Sequence, residues 1–173
     1  MVLRPLDPDD PDDRDLAVAV ATHAGVRWRR ATRGALSLNP ADVMGVIRSS
    51  CSYLFAVETG GGSSGDDDVL VHGIAAVGDV DQASGVASID LVPGPGPGAS
   101  AVVAAHAGPA VRELLATMPL RRLYLERFAD EPFPFPDDAH RWDREVVVPA
   151  FATIDGVPTA YETWATTPDR WED

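Results

Sequence analysis

The chain has 173 residues, 45% of them hydrophobic and 24% charged, which fits one globular domain (1–173) and argues against disordered, collagen-like or coiled-coil architectures. Fourteen Arg and no Lys against 27 acidic residues give a net charge of −13, which opposes nucleic-acid and anionic-membrane partners and removes lysine Schiff-base and P-loop chemistry. Cys51 is the only cysteine, so an internal disulfide is impossible, and His23, His72, His106 and His140 lack metal-ligand spacing.

Six Asp between residues 7 and 15 are the opposite of a secretory or transit signal, and no apolar run approaches the roughly 20 residues of a membrane span. A cytoplasmic protein is therefore expected. Val2–Leu6 reads as a short strand, and the Pro8/Pro11 acidic segment caps a helix over about Asp13–Ala24 with Leu16, Val20 and His23 on its apolar face. Arg27, Trp28, Arg29, Arg30 and Arg33 crowd the next segment. Asn39-Pro40 is a helix start, with Asn as N-cap and Pro at the first helical position, and Val43, Met44 and Ile47 supply the buried stripe to about Ser50.

From Ser52 the apolar period changes to two. Strands are predicted at about Ser52–Glu58, Val69–Gly78 and Gly85–Val92, joined by the Gly/Ser/Asp stretch 60–68 and a turn through Asp81–Ser84. Pro93-Gly94-Pro95-Gly96-Pro97-Gly98-Ala99-Ser100 follows, leading into a helix with Val111, Leu114, Leu115 and Met118 as its strongest face. Gly108-Pro109 would kink that helix or begin a second one, and Pro119 ends it. Arg121–Phe128 reads as a strand and 129–144 as irregular, with Asp137 or Asp138 as the cap of one turn. Glu145–Ile154 and Val157–Thr166 then form a hairpin through Asp155-Gly156. Trp171 reads as part of a frayed tail.

This order, with Leu3-Arg4-Pro5-Leu6 at the start, Tyr53-Leu54-Phe55-Ala56-Val57 as second strand, Ile89-Asp90-Leu91-Val92 running into the glycine loop, and Leu123-Tyr124-Leu125-Glu126 about 25 residues beyond, resembles the GNAT superfamily of acyl-CoA N-acyltransferases over nearly the whole chain. The resemblance implies an α/β (α+β) fold, a mixed, mostly antiparallel seven-stranded sheet flanked by helices. It also implies acetyl-CoA or another acyl-CoA as co-substrate and a small-molecule or peptide amine as acceptor, in a chain that could be a homodimer.

In that family pantetheine pairs with the fourth strand, a role that falls to Leu91 and Val92, and the pyrophosphate is cradled by N–H groups at a helix start, where Gly94, Gly96, Gly98, Ala99 and Ser100 stand. The departure is at the prolines. Pro93 occupies the place of the family's Gln or Arg, and Pro93, Pro95 and Pro97 have no N–H to offer. A stiff Pro-Gly turn is the other reading of the same residues. Asp90 and Glu126 are the candidate bases for the amine proton. Tyr124 and Phe128 share a strand face with Glu126, and their rings would desolvate it. The other reading of both acids is as solvated strand-end carboxylates. No tyrosine lies between Tyr124 and Tyr161, where the family keeps its usual proton donor to the thiolate.

Phe133, Phe135, Trp142 and Trp164 are candidates for an acceptor pocket. Asp130, Glu131, Asp137 and Asp138 would draw a cationic acceptor to its mouth. The arginine cluster would meet the 3′-phosphate of CoA, an acidic carrier, or simply the local Asp excess. The expected activity is transfer of an acyl group, acetyl first, to an amine. The alternative is a GNAT-fold binding or assembly module without catalysis.

Overall fold

The computed structural model describes residues 2–28, 40–59 and 70–172. Seven strands form one sheet in the order β1-β2-β3-β4-β5-β7-β6: β1 (Val2–Pro5), β2 (Cys51–Thr59), β3 (Leu70–Asp81), β4 (Val86–Pro93), β5 (Arg122–Phe128), β6 (Asp143–Ile154) and β7 (Val157–Thr166). The helices are α1 (Pro11–Ala24), α2 (Pro40–Ser50) and α3 (Ala99–Thr117). The β4–β5 pair is parallel, whereas β1–β2, β2–β3, β5–β7 and β6–β7 are antiparallel. This is the mixed sheet expected from the sequence. Contacts divide the chain into two compact units, Met1–Gly78 with Asp90–Val103 and Asp79–Ile89 with Ala104–Asp173. No described helix is long and apolar enough to cross a membrane.

In the first unit, alternation along β2 assigns each strand face its own core. Leu54 and Ala56 join Ile74, Ala76 and Val92 beneath α1 and α2, against Ala17, Val20, Val43, Met44 and Ile47. Phe55, Val57, Ala75 and Leu91 pack on the other side with Val103 of α3. The stripe of α2 matches its sequence, but that of α1 is rotated: Ala17, Val20 and Ala21 are buried, Leu16 is half-buried and His23 is exposed. Asp10 caps α1 by accepting the N–H groups of Asp12 (2.9 Å) and Asp13 (3.2 Å), with Pro11 at the first position. Asn39, the 60–68 loop, Val69, and Arg29, Arg30 and Arg33 lie outside the described residues.

The buried turn of α1 includes an acid. Asp13 accepts from two Arg4 nitrogens (2.7 and 3.0 Å) and from the Asp7 N–H (2.9 Å), while Arg4 also holds Glu58 at 2.7 Å. The Arg4 hydrogen bond holds the Asp13 carboxyl below the usual carboxylate range against the opposing push of burial. Its contribution to stability is therefore present above the unfolded value of about 4 and lost as pH falls through the lower native one. Asp13→Asn is expected to cost about 1–3 kcal/mol at pH 7, the worth of charge-assisted hydrogen bonds, with the difference from the parent closing toward pH 2 in urea melts. An unchanged gap at pH 2 would refute the pairing as its cause.

Gly73 sets how closely β3 approaches the end of β4. A Cβ there would collide with the Val92 carbonyl oxygen, which is backbone and cannot swing away, and would crowd Val103. Gly73→Ala is thus expected to lose about 1–3 kcal/mol by overpacking, read as a lower Tm. A variant as stable as the parent would show that β4 has slack at Val92.

In the second unit, α3 continues as one helix through Gly108-Pro109, so no second helix begins there. Val111, Leu114 and Leu115 are its buried side. The β6–β7 hairpin turns where expected: Asp155 and Gly156 both have positive φ (51° and 80°), the conformation that makes Asp-Gly the favoured two-residue link.

Segment 129–142 is irregular except for one turn at Ala139–Arg141. Asp138 stands at the N-cap of that turn without a side-chain cap hydrogen bond; its carboxylate binds Arg141 at 2.9 Å. The aromatic residues read as pocket walls pack on one another, Phe135 and Trp142 buried and Phe133 and Trp164 half-buried. Phe133 meets Trp164 (4.7 Å between centroids), Phe135 stacks on Trp142 (4.7 Å), and Trp142 meets Trp171 edge-on (6.5 Å). Trp171 is no frayed tail, since it is buried and its indole N–H donates to Thr166 Oγ1 at 2.9 Å.

Candidate functional site

The glycine loop leaves β4 in the first unit. Gly94 donates its N–H to the His72 carbonyl (2.8 Å) and Ala99 to the Gly96 carbonyl (3.2 Å), so two of the expected anion donors are already committed to the chain itself. His72 is held in turn by Thr59, 2.6 Å between Nε2 and Oγ1. Gly96 and Gly98 differ from Gly94. Both are exposed, and a Cβ at either would meet nothing within 4 Å. Gly98 has φ 76°, a conformation that disfavours any other residue, whereas Gly96 is under no such constraint. Ser100 is exposed in the first turn of the 19-residue α3. The residues that can still serve an anion are therefore Gly96, Gly98 and Ser100, at the positive end of the helix dipole. Leu91 and Val92 point to opposite faces, Leu91 toward Val103 and Val92 into the α1/α2 core.

The β4–β5 ladder runs from Val86↔Arg122 to Ile89↔Leu125, and the two candidate acids, Asp90 and Glu126, fall in different units. Asp90 belongs to the first unit, where it is half-buried and accepts the indole N–H of Trp28 at 3.1 Å. Trp28 is itself 2% exposed, so an aromatic wall stands on this acid from 62 residues away. Of the arginine cluster only Arg27 is among the described residues.

Glu126 belongs to the second unit and is exposed: the rings of Tyr124 and Phe128 do not cover it, because alternate residues on one strand stand beside each other rather than over each other. What touches it comes from β7. Tyr161 donates its hydroxyl to Glu126 Oε2 at 3.1 Å. The tyrosine is 7% exposed, and its ring is stacked on Phe151 (4.8 Å) and edge-on to Phe128 (5.2 Å). Across the strands, Glu126 pairs with Thr163 and Thr163 with Val146, so a carboxylate, a hydroxyl-bearing side chain and an apolar one form a row. Val146 and Val148, two residues apart on β6, are 48% and 41% exposed.

Sequence reasoning missed both partners. Tyr161 lies outside the segment where the resemblance places a tyrosine, and nothing local to Trp28 marks it as facing Asp90. The acids expected at a pocket mouth are partly spent on structure, since Glu131 accepts the Phe128 N–H (3.1 Å) and Asp138 is tied to Arg141. No group of three or more potential metal ligands occurs among the described residues.

No family model and no curated protein matches the chain by sequence. Solved structures do match by shape. A mutant form of the spermidine N-acetyltransferase SpeG from Vibrio cholerae superposes with a TM-score of 0.72 at 11% identity, covering 100% of this chain and 98% of that one. A probable GNAT-family acetyltransferase from Chromobacterium violaceum gives 0.61 at 14% identity over 99% and 84%. A crystal structure described as a putative phosphinothricin N-acetyltransferase gives 0.60 at 14% identity over 96% and 97%. The chain has the GNAT fold along its whole length.

Proposed function

We propose that the chain is an acyl-CoA-dependent N-acyltransferase, with acetyl as the acyl group and a small aliphatic amine as acceptor. The observation that carries this reading is the open backbone at Gly96 and Gly98 leading into α3, on a fold shared at full length with N-acetyltransferases. When bound, acyl-CoA supplies an activated thioester carbonyl. The residues proposed to hold it are Gly96, Gly98 and Ser100 through backbone N–H groups at its pyrophosphate, and Leu91 and Val92 beside its pantetheine arm. Gly94 and Ala99 shape the loop, since their own amides are occupied.

The acceptor enters this reading as a nucleophile that must lose a proton. Glu126 is proposed to take it, being a carboxylate exposed to incoming amine, and the neighbouring Thr163 and Val146 suit an ammonium group carried on a methylene chain. The new bond joins amine nitrogen to acyl carbon as the carbon–sulfur bond breaks, the nitrogen's proton passes to Glu126 and on to solvent, and the departing thiolate takes a proton from water. Asp90, already bonded to buried Trp28, is the second candidate base.

The catalytically silent binding module is the second reading. Three prolines and two committed amides thin the donor set, and that observation favours it. Thermal shift with acetyl-CoA separates the two. At about 100 times its dissociation constant a ligand adds about 2.7 kcal/mol to stability, a rise of several degrees for a chain this size. Gly96→Val should abolish the shift while leaving the Tm of the free protein nearly unchanged, because Gly96 is exposed and a Cβ there meets nothing within 4 Å. No shift for the parent at millimolar acetyl-CoA would overturn the transferase reading.

A further inference from the structure

We propose that Tyr161 is a positioning residue for Glu126, fixing the carboxylate through its phenol; the inference rests on the reading of Glu126 as proton acceptor given above. Three observations within the second unit carry it. The hydroxyl donates to Oε2 at 3.1 Å, and among the described residues it is the one hydrogen-bond donor set against this otherwise exposed side chain. Register alone does not demand the contact, since Glu126 stands opposite Thr163 and Tyr161 opposite Phe128, so the tyrosine reaches diagonally across the ladder.

The ring is also clamped. Phe151 stacks on it and Phe128 meets its edge, with 7% of the residue left exposed, so the phenol cannot swing to another partner at low cost. A glutamate on a strand surface has three rotatable side-chain bonds and samples many positions. One hydrogen bond from an immobile donor to Oε2 restricts that set and leaves Oε1 for whatever binds beside Thr163 and Val146. Such restriction acts on the frequency of productive encounters rather than on affinity.

Tyr161→Phe keeps the ring and removes only the donor. It is expected to lower kcat about tenfold, with the KM values for acetyl-CoA and amine unchanged, measured by thiol release with acetyl-CoA and a panel of aliphatic mono- and diamines. In a Glu126→Gln background the same substitution should have no further effect, since the two act as one unit. An equal loss in both backgrounds, full activity of Tyr161→Phe, or a Tm drop large enough to unfold it at assay temperature would each overturn the proposal, the last by making the bond structural. Failure of the underlying reading looks different. If the parent is active and Glu126→Gln is silent, the base assignment falls and Tyr161 with it, whereas no thermal shift with acetyl-CoA and no turnover of any amine overturns transfer itself.

Discussion

Glu126→Gln is expected to lower turnover by roughly 10²–10⁴-fold, the usual worth of acid–base assistance, while acetyl-CoA still raises the Tm as in the parent. The isostere keeps the size and the ability to accept from Tyr161, so packing at β5 should not change. What it loses is the capacity to take a proton. Asp90→Asn is the matched control. Asp90 is half-buried with Trp28 on one oxygen, and the amide oxygen of Asn can still accept that N–H, so the substitution should cost less than about tenfold in turnover. If the ranking reverses, with Asp90→Asn the more damaging, the base is the walled acid of the first unit and the exposed Glu126 is a bystander. Desolvation was the sequence's reason for choosing Glu126. Glu126 is exposed and Asp90 is half-buried, so what keeps Glu126 first in this reading is access.

The parts of this fold legible in the sequence are those decided within a few residues. Asp155-Gly156 makes its hairpin because the link needs two positive φ values, and Pro40 opens α2 because its ring already has helical φ. The alternating faces of β2 were readable for the same reason, since period two is a property of the strand alone. Of the candidate site, the sequence offered only two strand-end carboxylates. Their partners, Trp28 to Asp90 and Tyr161 to Glu126, are separated by 62 and 35 residues, and no local pattern encodes a contact that tertiary packing creates. The aromatic cluster was misread for a related reason. Phe135, Trp142 and Trp171 look like pocket walls or tail in a segment without secondary structure, yet such a segment must bury something to be ordered, and here it buries its own rings. The same limit applies to α1, where small Ala17 and Ala21 are buried and the larger Leu16 stands at the margin.

Glu162→Gln is expected to be the most destabilising of the substitutions considered, by about 3–5 kcal/mol, because it strips the counter-ion from a buried arginine. Glu162 is 5% exposed and faces Arg127 directly across the β5–β7 ladder, with Arg127 Nη1 to Oε2 at 2.7 Å. Arg144 reaches Oε1 at 3.0 Å and the Trp164 indole N–H donates to Oε2 at 3.0 Å, so both carboxylate oxygens are used. Burial pushes this carboxyl up, but the Trp164 and Arg144 hydrogen bonds and the charges of both arginines outweigh it and hold it below the usual range. Arg127 has little reserve. Its side chain is 10% exposed, it lies 5.8 Å from the centre of the Phe133 ring, and its Nε has no partner among the described residues. With a neutral amide opposite, its charge would remain buried without compensation. At roughly 2–4 °C per kcal/mol for a chain of this length, the Tm should fall by about 6–20 °C. Arg144→Ala removes a half-exposed partner of the same carboxylate and should cost under about 1 kcal/mol. Since the carboxyl is held low, the stability that Glu162 confers is present above about pH 4.5 and disappears as pH falls through its native value, so the two proteins should converge in acid. Replacing both partners, Arg127→Met with Glu162→Leu, should recover most of the loss, because the cost lies in the orphaned charge rather than in the missing bond. A Glu162→Gln protein within about 1 kcal/mol of its parent at pH 7 would mean that water reaches Arg127 and that this face of β7 is not closed.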